Sequence, residues 1–130
     1  MSQLPATRPM KILLVENHAD TLRWLALYLE ELGHTVLAAR TFAAARAALQ
    51  SWECEVLISD IGLPDGSGWD LLEPGHLSRR IFAIAMSGFG MNADSGRSRK
   101  AGYRHHLVKP FKTAELDRLL GEAAALHEAP

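Results

Sequence analysis

The stretch Val56-Leu57-Ile58-Ser59-Asp60, running on into Ile61-Gly62-Leu63-Pro64-Asp65-Gly66-Ser67-Gly68, limits the possible folds more than any other part of the chain. Three consecutive large apolar residues between turn formers read as a short strand buried on both faces, and such strands belong to parallel sheets covered by helices. The run closes on a carboxylate. In open parallel sheets the ligand crevice lies beyond the carboxyl ends of the strands, so Asp60 is delivered to the place where such folds do chemistry. Pro64 and the glycines around it let the backbone turn sharply and approach a ligand closely. The plainer reading is that Asp60 caps a turn.

The same pattern recurs along the chain. Lys11 to Val15 is an apolar run ending on Glu16-Asn17, Ile81 to Met86 ends on Ser87-Gly88, and the short run His106-Leu107-Val108 ends on Lys109-Pro110. Thr35 to Ala39 reads as a further, modest strand. Between the strands lie helical patterns. Leu22, Leu25, Ala26, Leu29 and Leu32 recur at helical spacing after Asp20, which the pattern makes a helix cap, and Gly33 stands where a helix end takes positive φ. Thr41 caps a second helix with Phe42, Ala45 and Leu49 on one face. A third begins through Trp69, Leu71 and Leu72 and is stopped by Pro74-Gly75. A marginal, polar helix falls within Met91 to Ala101, and Thr113 caps a last one with Leu116, Leu119, Leu120, Ala123 and Ala124 on its apolar face. Five strands alternating with five helices imply right-handed βαβ units and a parallel sheet with helices on both sides. One edge of that sheet gathers Glu16, Asn17, Asp60, Ser87 and Lys109, a recurrence hard to assign to separate structural roles.

A chain of 130 residues has room for one domain, expected over residues 10–125 with tails at 1–9 and 126–130. The 48% apolar and 22% charged content is that of a globular protein. No apolar stretch is long enough for a membrane segment or a signal peptide core, so a cytoplasmic location is expected. Cys54 is the single cysteine, which excludes an intrachain disulfide. The net charge of −1 gives no electrostatic reason to expect nucleic acid as a partner. Arg79, Arg80, Arg97, Arg99, Lys100 and Arg104 read as a solvated face, with docking of a partner as the alternative.

The motifs Leu14-Val15-Glu16-Asn17, Ile58 to Gly68, Met86-Ser87-Gly88 and Leu107-Val108-Lys109-Pro110-Phe111 together resemble the receiver domain of two-component response regulators, in wording closest to receivers of hybrid sensor histidine kinases. The likeness runs from about Met10 to about Leu120. It implies a flavodoxin-like doubly wound α/β fold, with one five-stranded parallel sheet in the order 2-1-3-4-5 and helices on both faces. It makes Asp60 the phosphoacceptor, attacking a phosphohistidine on a sensor histidine kinase or a histidine phosphotransfer protein. It assigns Mg2+ (or Mn2+) to Glu16, Asp60, the backbone carbonyl of Gly62 and the position held here by Asn17. Lys109 faces the phosphoryl group, Ser87 donates to it, the Lys109–Pro110 bond is cis, and His106 stands at the aromatic switch position. Output is a population change in the face built from the fourth helix, fifth strand and fifth helix, which is also the candidate homodimer surface. Such a domain is not an enzyme beyond its own phosphotransfer and autodephosphorylation.

One position departs from the pattern. The resemblance calls for two adjacent acids after the first strand, and this chain has Glu16 followed by Asn17. An amide oxygen can bind magnesium but adds no negative charge, so weaker metal binding is expected. Three classes of function follow in order of preference: a phosphoacceptor module, a degenerate receiver acting as a phosphorylation-independent interaction module, and a small enzyme on the same scaffold. The last lacks a glycine-rich phosphate loop after the first strand, where Glu16-Asn17-His18 stands. His105-His106 reads as strand packing, there being no third metal ligand at a convincing spacing. Trp24 and Tyr28, one turn apart, read as amphipathic spillover or as a partner patch, Trp52 as packing, and Trp69 as a neighbour of the Asp60 pocket.

Overall fold

A computed structural model describes residues 8–72, 80–88 and 95–128 of the chain. Five parallel strands form one sheet, β1 (Lys11–Val15), β2 (Thr35–Ala39), β3 (Val56–Asp60), β6 (Phe82–Gly88) and β7 (His105–Lys109), in the order β2-β1-β3-β6-β7. With the short hairpin strands β4 (Gly62–Leu63) and β5 (Gly66–Ser67) set aside, this is the doubly wound order 2-1-3-4-5. The helices are α1 (Ala19–Glu31), α2 (Phe42–Ser51), α3 (Ser95–Lys100) and α4 (Thr113–Glu128).

The central strands are apolar without alternation because both of their faces are covered. Ile12, Leu14, Val56, Ile58, Phe82, Ile84 and Met86 join Leu25 and Leu29 of α1 and Leu116, Leu119, Leu120 and Ala123 of α4 in one core layer. The intervening residues Leu13, Val15, Leu57, Ala83 and Ala85 join Ala45 and Leu49 of α2, Leu71 and Tyr103 in the other. Period-2 alternation of side chains thus sorts each strand between two helical layers. The edge strands β2 and β7 are less buried than the central three, and Leu37 and Val108 are exposed on them.

Element ends follow local hydrogen bonding. Gly33 takes φ +103 at the end of α1, and Thr41 accepts the Ala44 amide at the start of α2. Asp20 does not cap α1. The cap is His18, and Asp20 lies in the first turn, where its charge suits the helix dipole. The shift arises because Glu16 turns its carboxylate onto the His18 amide, at 2.9 Å, and so starts the helix early. Thr113 likewise lies inside α4 rather than before it, since the Leu116 amide bonds to the Lys112 carbonyl and the Thr113 hydroxyl engages Tyr28. Residues 126–128, expected as tail, continue α4, with Leu126 packed on the core and His127 bonded to the Glu55 carbonyl. Arg8, expected in the other tail, pairs with Glu55. Of the expected third helix, a 3-10 turn at Gly68–Asp70 is seen, while Pro74 and Gly75 lie outside the described residues.

Candidate functional site

The strand register carries the polar ends of four strands to one edge. Val15 is level with Ser59, Asp60 with Met86, and Gly88 with Lys109. Glu16 therefore follows β1, Asp60 ends β3, Ser87 stands next to last in β6, and Lys109 ends β7. Glu16, Asp60 and Ser87 are all buried.

Lys109 joins the acids. Its Nζ donates to Glu16 Oε1 at 2.5 Å and to Asp60 Oδ1 at 2.7 Å. The other Glu16 oxygen accepts the His18 amide and lies 3.3 Å from His18 Nδ1. One ammonium thus serves two buried carboxylates, leaving a net negative charge. Burial, reinforced by the neighbouring Glu16, pushes the Asp60 carboxyl up to about 6 against the pull of Lys109. Burial would raise Glu16 as well, but Lys109 and the His18 amide bring it below the ordinary carboxylate value. Burial works against the Lys109 ammonium, and the two carboxylates overcome it and raise its pKa.

The donor set suits a hard divalent cation in kind, being carboxylate and amide oxygen, and its uncompensated charge would favour one. It is lean in number, for among the described residues no group of three or more His, Cys, Asp or Glu is placed to hold a metal. Asn17 is half-buried beside Glu16, with its backbone carbonyl accepting from Arg40 at 3.1 Å. Gly62 is exposed and sits level with Ser67 in the hairpin that follows Asp60. The Lys109–Pro110 peptide is cis.

His106 is half-buried on β7 with its Nε2 2.9 Å from Ser87 Oγ. His105 pairs with Glu122 at 2.8 Å and packs on Phe82. Trp24, 52% exposed, stacks on Tyr28, whose hydroxyl donates to Asp117 at 2.5 Å. Beside this pair a cleft of about 290 Å3 is lined by Thr21, Trp24, Leu25, Lys109, Pro110 and Phe111. Trp52 is half-buried against the α2 layer, with the Lys11 ammonium over its ring. Trp69 donates its indole N–H to Ser98 at 2.9 Å.

Three supporting residues escaped the sequence reading. Asp65, at the tip of the hairpin, accepts the Phe42 and Ala43 amides at 2.7 and 3.0 Å and so ties the turn after Asp60 to the start of α2. Tyr103 donates to the Gly68 carbonyl at 2.6 Å from within the core. Ser98 meets both Trp69 and His106. Asp65 sits in a recognisable turn, but nothing local in the sequence says that a turn carboxylate reaches a helix more than 20 residues away.

Comparison with known proteins follows the same lines. The sequence profile of the response regulator receiver domain matches residues 12–120. The virulence sensor protein BvgS of Bordetella pertussis is 29% identical over 129 residues, covering 93% of this chain and 10% of BvgS. The transcriptional regulatory protein KdpE of Mycobacterium tuberculosis is 33% identical over 102 residues, covering 77% of this chain and 44% of KdpE. The chain therefore spans only a tenth to about half of these relatives. Among solved structures, a CheY-like receiver domain protein from Methanospirillum hungatei superposes with a TM-score of 0.82 at 25% identity, covering 93% of this chain and 98% of that one. The receiver domain of sensor histidine kinase PA1611 from Pseudomonas aeruginosa gives 0.77 at 27% identity, covering 91% and 99%, and carries a magnesium ion in its active-site cleft.

Proposed function

This chain belongs to the response regulator receiver domains, and we propose that it accepts a phosphoryl group on Asp60 from a phosphohistidine of a sensor histidine kinase or a histidine phosphotransfer protein. The observation that carries this reading is the Lys109 ammonium bonded to Glu16 and Asp60, which come from the ends of separate strands. A buried acid–acid–lysine set costs stability and adds nothing to the core, so its place at the sheet edge is best explained by chemistry.

In the transfer, an Asp60 oxygen forms the new O–P bond as the N–P bond to histidine breaks, and the imidazole nitrogen keeps the electron pair. Asp60 must be ionised to attack, which its raised pKa allows above about pH 6. Lys109 then exchanges a carboxylate contact for a phosphoryl oxygen and offsets the charge there. Ser87 supplies a hydroxyl donor from the neighbouring strand. Glu16, held below the ordinary carboxylate value, stays ionised throughout. Magnesium or manganese would be held by Glu16, Asp60 and the amide oxygens of Asn17 and Gly62, and would neutralise charge on the phosphoryl group. Output would pass to the face made by Ser95–Lys100, His105–Lys109 and Thr113–Glu128, the candidate dimer surface.

Asn17 supports a second reading, a degenerate receiver that binds partners without phosphorylation. Intact mass after incubation with a small-molecule phosphodonor separates the two. A gain of one phosphoryl group that needs magnesium and disappears in Asp60→Asn is the expected result. No gain at any magnesium concentration, in a folded chain, would favour the degenerate receiver.

A further inference from the structure

A run of hydrogen bonds leads away from the end of β6. Ser87 Oγ lies 2.9 Å from His106 Nε2, and the other ring nitrogen, Nδ1, lies 2.8 Å from Ser98 Oγ. The Trp69 indole N–H meets the same Ser98 oxygen at 2.9 Å, and the Arg97 guanidinium covers the indole at 4.0 Å. Both serines are buried. Two strands, a helix and the 3-10 turn behind Asp60 are thereby joined through polar side chains.

Donor chemistry gives the run a direction. An indole nitrogen only donates, so Ser98 accepts at that contact. A neutral imidazole has one N–H and one bare nitrogen, which leaves two arrangements. With the proton on Nδ1, Ser98 receives two donors at once and Ser87 gives its only proton to Nε2. With the proton on Nε2, Ser98 donates to Nδ1 and Nε2–H donates to Ser87, so the buried Ser98 hydroxyl both accepts and donates within the run, whereas the first arrangement leaves its proton unused there. The Ser87 proton then remains to be given at the end of β6, beside the end of β3 that carries Asp60.

We propose that His106 is held as the Nε2–H tautomer by Ser98 and acts as a positioning residue, fixing Ser87 Oγ as an acceptor from behind so that its proton faces the phosphoryl group on Asp60. The proposal rests on the phosphoacceptor reading above. Phosphorylation then turns the Ser87 proton without breaking its bond to His106, and the change reaches Trp69 through Ser98. A phenyl or phenol ring, with no ring nitrogen, could not engage both serines in this way.

Nitrogen-15 NMR of histidine-labelled protein tests the tautomer without any phosphodonor. Well above the imidazole titration, His106 should show a protonated Nε2 and a bare Nδ1, and Ser98→Ala should shift the population toward the other tautomer. A proton on Nδ1 in the wild type, or a population indifferent to Ser98→Ala, would overturn the proposal. With a small-molecule phosphodonor and magnesium, Ser98→Ala and His106→Phe should each be phosphorylated about two- to tenfold more slowly, the effect of losing one neutral hydrogen bond. Both should also lose the emission change of Trp69, identified with Trp69→Phe. Unchanged rates with the emission change intact would again overturn it. A chain that has the expected tautomer but takes no phosphoryl group would instead sink the reading of Asp60, and with it the role given to Ser87.

Discussion

Asp60 is buried beside Glu16, and one ammonium serves both acids. A metal ion would complete that charge balance, and Asn17 sets how strongly the site can bind one. Asn17→Asp adds a full negative charge to the set, so the magnesium concentration at half-saturation, followed by tryptophan emission or by extent of phosphorylation, should fall about tenfold, a partly screened unit charge at contact distance. A tighter half-saturation in the wild type would contradict the role given to Asn17. His34 presents the opposite problem on the far side of the sheet. Its Nδ1 accepts the Met10 amide at 3.1 Å, which leaves the proton on Nε2, a buried atom with no partner among the described residues. Burial holds His34 below its ordinary pKa, against the pull of Glu55. Unfolded histidine gains a proton near pH 6.5 while the folded ring resists it, so this stability is present above pH 6.5 and fades as pH falls. Asp60, raised to about 6, works in the opposite sense in the same window, so the test is a difference. Between about pH 7.5 and 5.5, His34→Asn, which keeps an acceptor for Met10, should lose less urea stability than the wild type, by at most about 1.4 kcal/mol. Equal losses in the two proteins would show that His34 does not resist protonation.

At the scale of elements, two glycines report opposite things about how the site is built. Gly121 lies exposed in the middle of α4, and a Cβ there would meet nothing within 4 Å. Its cost is conformational, so Gly121→Ala should raise stability by about 0.5–1 kcal/mol in denaturant unfolding, with phosphorylation unaffected. Gly68 starts the 3-10 turn, bonds its amide to the Ile61 carbonyl at 2.7 Å, and receives Tyr103 on its own carbonyl. A Cβ at Gly68 would stand 2.2 Å from the Asp60 carbonyl oxygen. That contact is with backbone, which cannot turn aside as a side chain does. Gly68→Ala should therefore cost on the order of 2–3 kcal/mol and slow phosphorylation, because the strain is released by moving the peptide that carries the phosphoacceptor. Wild-type stability and rate in Gly68→Ala would mean that the turn is looser than this packing requires.

For the molecule as a whole, what could be read in the sequence follows the range of the forces involved. Strands buried on both faces write themselves as unbroken apolar runs, so β1, β3 and β6 were legible together with the residues that end them, and the parallel order followed from their alternation with helices. Asp20 and Thr113 were misplaced by a residue or two because a buried acid and a tyrosine, not the local pattern, decide where those helices start. Ser98, Tyr103 and Asp65 were not legible, since each acts on a partner that only the folded sheet brings near. The acid–lysine set is the most global of these arrangements, as it joins the ends of β1, β3 and β7 and so ties sheet stability to its charge. Lys109→Met leaves two buried carboxylates with no cation. At about pH 8, with chelator present, it should cost roughly 3 kcal/mol in urea unfolding, the low end of the loss expected when one partner of a buried ion pair is removed, since the Lys109 side chain is 23% exposed. One of the acids then has a folded pKa above its unfolded value, so part of the loss should return as pH falls toward 5, and magnesium at pH 8 should restore part of it by replacing the missing charge. A loss that is the same at both pH values and indifferent to magnesium would mean that Lys109 acts through packing alone.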